Sequence, residues 1–167
     1  MEKQQRPLLK IEITGTDKII EGLSYIALVA LWIFVCVVYT KLPETIPTHF
    51  TGSGKADGYG DNETIFLGAG ICTVMFIGMS FIQRKPHWFN FPVEITPENA
   101  QKQYTTAMKM IRMLKLTIVI IFGLIEFHTY KSSIGITDDT SQLYILAILG
   151  LVYIPIFYFL IQSSKNS

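Results

Sequence analysis

Four long apolar runs are separated by polar stretches along this chain: Leu23 to Thr40, Thr64 to Ile82, Leu114 to Tyr130 and Leu143 to Ile161. Each is close to the roughly 20 residues that a helix needs to cross the hydrocarbon of a bilayer. Lipid offers no partner to backbone N–H and C=O groups, so the runs are expected to be helical. The pattern predicts an all-α integral membrane protein, a bundle of four transmembrane helices. Residues 1–22 form a segment before it, 23–161 the membrane domain and 162–167 a short tail. Residues 1–22 include four acids and no small-residue cleavage site follows the first run, so that run is expected to stay as an anchor rather than leave as a signal peptide.

The polar stretches differ in kind. Leu42 to Glu63 holds two prolines and four glycines, and Asp57-Gly58 within it is a good turn pair. Pro43 and Pro47 push the residues before them toward extended backbone. An ordered, compact loop between helices 1 and 2 is therefore expected. In the middle stretch, Thr96, Pro97 and Glu98 read as N-cap, N1 and first turn. With no further proline until Pro155, a helical extension is expected to run from about Pro97 into the third span. "PLLKIEIT" near the N-terminus fits a short strand or an interfacial extension. Pro155 predicts a kink in the fourth span, and Gly68, Gly70, Cys72 and Gly78 give the second span a small-residue face for close helix packing.

Charge supplies an orientation. Half of the 167 residues are hydrophobic, 16% are charged, and the net charge of +1 selects no partner. Lysine and arginine are uneven, however. With both termini in the cytoplasm, eleven of the fourteen lie inside and only Lys41, Lys55 and Lys131 outside. This places the 42–63 loop outside a cytoplasmic membrane and the extension of helix 3 inside. The pairing of Arg84 and Lys85 with Trp88, Phe89 and Phe91 fits an interfacial aromatic belt. Cys36 and Cys72 both fall in apolar runs and are expected to act as small buried hydrophobes.

The candidate chemistry lies at the outer face. Glu126 and His128 interrupt the third span near its end, about 200° apart around a helix, so only one can point into the bundle. An ionisable group inside a span is a functional candidate by default. His49, Asp57, Glu126 and His128 could together ligate a divalent metal, since imidazole and carboxylate suit zinc-like ions, although their spacing matches no zinc or EF-hand motif. The other readings are a peptide- or lipid-binding mouth and a turn-rich structural cap. Serine-hydrolase, zinc-protease, P-loop and dinucleotide-binding motifs are missing, so nothing points to catalysis. A chain this apolar is not expected to bind nucleic acid.

The loop pattern LP-x-x-IP-x-H-F followed by G-x-x-D-G-aromatic-G is carried by Leu42, Pro43, Ile46, Pro47, His49, Phe50, Gly54, Asp57, Gly58, Tyr59 and Gly60. It resembles the N-terminal domain of SdpI-like bacterial immunity membrane proteins, over about residues 22 to 80. Asn62 stands where that pattern commonly has lysine, and the C-terminal half of the longer relatives is expected to be reduced or absent. The resemblance implies a non-catalytic binding, immunity or signalling protein of the inner membrane. It implies a peptide toxin as partner outside and a transcriptional repressor inside. It puts forward His49, Phe50, Asp57 and Tyr59 as ligand-binding residues, and the cost of an ionisable group inside a span adds Glu126 to them. The alternative is a metal- or proton-linked transporter or sensor using His49 and Glu126. No cofactor is implied beyond the possible metal.

Overall fold

A computed structural model describes residues 6–136 and 141–165, without the side chains of 141–145. Lys3, one of the eleven basic residues counted inside, lies outside the described residues. Most of the described residues are helical, chiefly in four α-helices. These are α1 (Gly15–Tyr39), α2 (Ile65–Ile82), α3 (Ala100–Ser133) and α4 (Ser141–Lys165). Between α1 and α2 the chain forms an antiparallel hairpin, β1 (Thr45–Phe50) and β2 (Ala56–Asp61).

Helix α1 starts eight residues before its apolar run. Thr14 and Asp17 form a capping box: the Asp17 backbone N–H donates to the Thr14 hydroxyl, and the Thr14 N–H donates to the Asp17 carboxylate. That cap carries helix out of the apolar zone, so the N-terminal segment is helical from Gly15, and residues 6–14 are neither helix nor strand. Helix α3 begins at Ala100, three residues later than the sequence suggests. Thr96 and Asn99 bond each other's backbone N–H through their side chains and close a turn ahead of the helix. The Thr96 hydroxyl also holds the Glu98 carboxyl below the usual carboxylate range. At 34 residues α3 is about 51 Å long, against a hydrocarbon core of about 30 Å.

Among the described residues, three helices are long and apolar enough to cross a membrane: Gly15–Tyr39, Asn62–Ile82 and Leu146–Lys165. Helix α3 is not among them, so the expectation of four spans is met for three. It packs against α1, α2, α4 and β1 and buries Gln103, Arg112, Lys115, Thr117, Glu126 and Thr129. A helix wrapped by protein does not need an apolar circumference. The outer helices show the opposite pattern. Ile26, Val29, Ile33 and Val37 of α1, and Leu67, Ile71 and Val74 of α2, are exposed stripes at helical spacing. Apolar faces of this extent on a soluble protein are rare, and a bilayer covers them.

The core between α1, α2 and α3 consists of Leu31, Val35, Val38, Ile65, Ala69, Cys72, Phe76 and Val119, with Ile46 of β1 inserted from the hairpin. Cys72 is buried as expected, but Cys36 is exposed. Val35 holds the inward position, and Cys36 lies about 100° further round the helix. The small-residue face of α2 is also narrower than expected. Gly68 meets Glu126, whereas among the described residues nothing lies within 4 Å of where a Cβ of Gly70 or Gly78 would stand.

A hairpin over a buried carboxyl

The expected compact loop is a β-hairpin, so the fold is not all-α. Pro43 and Pro47 enforce the extended backbone that β1 needs. Asp57-Gly58 is not its turn. The chain reverses at residues 51–55, where the Thr51 N–H donates to the Lys55 carbonyl and Gly54 takes φ of 77°. Gly58 sits inside β2 opposite His49, and a Cβ there would come within 2.9 Å of the His49 Cβ. Its role is to permit close strand approach, not to turn.

Two attachments fix the hairpin. At one end Ile46 is 1% exposed in the helical core. At the other, the Phe50 ring lies 4.7 Å from the His128 ring of α3, and His128 Nε2 is 3.3 Å from the Gly54 carbonyl oxygen. His128 therefore belongs to the hairpin mount. On the open side, the His49 ring bonds the Asp57 carboxylate, and both remain accessible. Tyr59 is 64% exposed.

Glu126 points elsewhere, as the 200° offset from His128 requires. It is 4% exposed and packs on Gly68 of α2. Among the described residues, no three His, Cys, Asp or Glu side chains gather into a set that could hold a metal ion. His49 and Asp57 are brought together, with Phe50 and His128 behind them, while Glu126 lies within the bundle. The fit of Glu126 depends on the missing side chain of Gly68. A Cβ at Gly68 would stand 1.9 Å from Glu126 Oε1 and 3.1 Å from its Cδ. Gly68→Ala is expected to destabilise the bundle by about 1–3 kcal/mol through overpacking. Adding Glu126→Ala should recover most of that loss, measured by thermal unfolding in detergent. A double variant no more stable than Gly68→Ala would show that the carboxyl is not what Gly68 accommodates.

At the opposite end of the bundle lies a cluster with no motif in the sequence. Lys115 of α3 is 0% exposed, and its ammonium is 2.5 Å from Glu21 of α1. It also donates to Ser80 Oγ at 3.1 Å and to Gln83 Oε1 at 3.4 Å. It sits 4.7 Å from the centre of the Phe76 ring and 5.4 Å from that of Tyr25. Arg112, one turn before it, reaches Asp17 at 3.5 Å and Glu21 at 3.9 Å. Two acids and two bases thus neutralise each other where α1, α2 and α3 meet. By sequence, Arg112 and Lys115 read as membrane-flanking charges. Their acidic partners stand more than 90 residues away, and the spacings Asp17–Glu21 and Arg112–Lys115 on one helix face are the only local sign. A second buried pair joins α3 to α4: Gln103 Nε2 donates to the Ser163 carbonyl at 2.9 Å, and the Ser163 hydroxyl donates back to Gln103 Oε1 at 2.6 Å.

Apolar outer stripes, a protein-wrapped central helix and neutralised internal charge together define a multi-pass membrane protein. A family model described as "Domain of unknown function (DUF1648)" matches residues 26–73, which take in most of α1, the hairpin and the first half of α2. A protein from Archaeoglobus fulgidus described as an uncharacterized protein is 24% identical over 169 aligned residues, covering 93% of this chain and 91% of that protein. No solved structure matches.

Proposed function

We propose that this chain is a SdpI-like, non-catalytic immunity or signalling protein of a bacterial inner membrane. Its hairpin recognises a peptide or other ligand outside the cytoplasm, and its cytoplasmic helical extension tethers or reports to a partner such as a transcriptional repressor. The observation that carries this reading is the hairpin itself. It is anchored at Ile46 and at His128, yet it leaves His49, Asp57 and Tyr59 open. A rigid mount with an exposed aromatic anchor suits recognition, because little ordering remains to be done on binding. Lysine and arginine support the orientation even after Arg112 and Lys115 are set aside as internally paired. Arg6, Lys10, Lys18, Arg84, Lys85, Lys102, Lys109 and Lys165 still face Lys41, Lys55 and Lys131.

Deleting the gene is expected to make cells sensitive to conditioned medium from peptide-secreting neighbours. Wild-type protein should restore growth. Tyr59→Ala and Asp57→Asn, present in the membrane at wild-type levels, should not. Unchanged growth of the deletion strain in every such medium would overturn the immunity reading. A second reading, a proton-linked transporter or sensor, is favoured by the burial of Glu126 on Gly68 within the bundle. It expects Glu126→Gln to abolish function and Tyr59→Ala to leave it intact, the reverse of the first reading's emphasis.

A further inference from the structure

We infer that the outer edge of β2 takes up an extended cationic peptide as a third strand of the sheet. This rests on the recognition reading above and names the chemistry and geometry of its ligand. The sheet has two strands, so each has one edge without a partner strand among the described residues. The edges are not equivalent. The β1 edge is poor for pairing: Pro47 has no N–H, an extra residue, Thr48, breaks the register between Pro47 and His49, and α3 packs against β1. In β2 the one irregularity is at Asp57. β2 has no proline, and from Tyr59 to Asp61 its register runs without a break.

An open edge invites indiscriminate pairing, including with a second copy, unless charge prevents it. Asp57, Tyr59 and Asp61 are exposed along β2, and Glu44 and Glu63 are exposed beside its far end. Two such edges meeting antiparallel would bring the carboxylates of Asp57 and Asp61 on one copy against those of the other, which is unfavourable. The same row attracts a strand with lysine or arginine at alternate positions. Main-chain hydrogen bonds then supply affinity, and Asp57, Tyr59 and Asp61 supply selection. His49, already bonded to Asp57, sets one end of that row.

The experiment uses the full chain in phosphatidylcholine nanodiscs, so that the bilayer carries no net charge. Three probes are compared: an alternating Lys-Val heptapeptide, its Glu-Val counterpart and a fully backbone-N-methylated Lys-Val form. The Lys-Val peptide is expected to bind and to slow amide exchange at residues 57–61 at least tenfold. The other two should bind at least tenfold more weakly, the first for its charge and the second for its missing donors. The variant Asp57→Asn with Asp61→Asn should lose about tenfold in affinity for Lys-Val. No binding of the Lys-Val peptide, equal binding of its N-methylated form, or unchanged exchange at 57–61 would each overturn the edge. A deletion strain that grows normally while edge binding holds would remove the immunity reading alone. A sensitised strain without edge binding would remove only the edge.

Discussion

Replacing Lys115 with methionine is expected to cost about 3 kcal/mol, among the largest losses available to a single substitution in this chain. Truncating one member of a buried ion pair costs about 3–5 kcal/mol because the other charge is left without compensation. Here Glu21 keeps Gln83 and a distant Arg112, which sets the value at the low end. The ammonium left by Glu21→Gln keeps Ser80, Gln83 and two aromatic faces, so that variant should be less damaging. The double variant Glu21→Gln with Lys115→Met has no charge to strand. It should recover at least half of the loss, as a pair in direct contact must show non-additivity. Reversible unfolding in mixed micelles, carried through the full cycle, gives the coupling. A double variant as unstable as the sum of the singles would mean that the pair contributes no coupling.

Ile46→Ala should have an effect of similar size with a different signature. A fully buried isoleucine cut to alanine costs about 2–5 kcal/mol, depending on how far the site collapses. Ile46 is the hairpin's apolar plug in the core of α1 and α2, so the damage should be local first. Amide exchange should rise across β1 and β2 while the amides of α1 and α2 stay protected. In the recognition reading this variant loses ligand response even when the helices remain folded. Equal loss of protection in hairpin and helices would mean that Ile46 supports the whole bundle rather than mounting the hairpin.

The apolar runs of α1, α2 and α4 were plain in the sequence because lipid-facing helices need apolar residues nearly all round. Helix α3 was harder to place. Its apolar run is real, but its surroundings are protein, so it carries polar groups that a lipid-facing helix could not. The hairpin was legible as an ordered loop and illegible as strands. Each strand is six residues, and proline and glycine break the alternation that marks a sheet. Asp57-Gly58 looked like the turn because that dipeptide favours turns generally; the glycine was instead required by His49 across the ladder. His49 and Asp57 could be paired from the loop's composition, and Glu126 singled out from its place in an apolar run. The Asp17, Glu21, Arg112 and Lys115 cluster could not, since opposite charges from distant helices declare themselves only after the helices pack.

The length of α3 gives the molecule a lever. One rigid rod of about 51 Å carries His128 under the hairpin, Lys115 among α1 and α2, and Gln103 bonded to α4. If it pivots near its middle, a tilt of only 5° swings each end by about 2 Å in opposite senses. That is enough to break a hydrogen bond at either tip. With such a pivot, a push on the hairpin would become an opposite displacement at the Gln103 end, with no change in fold between them.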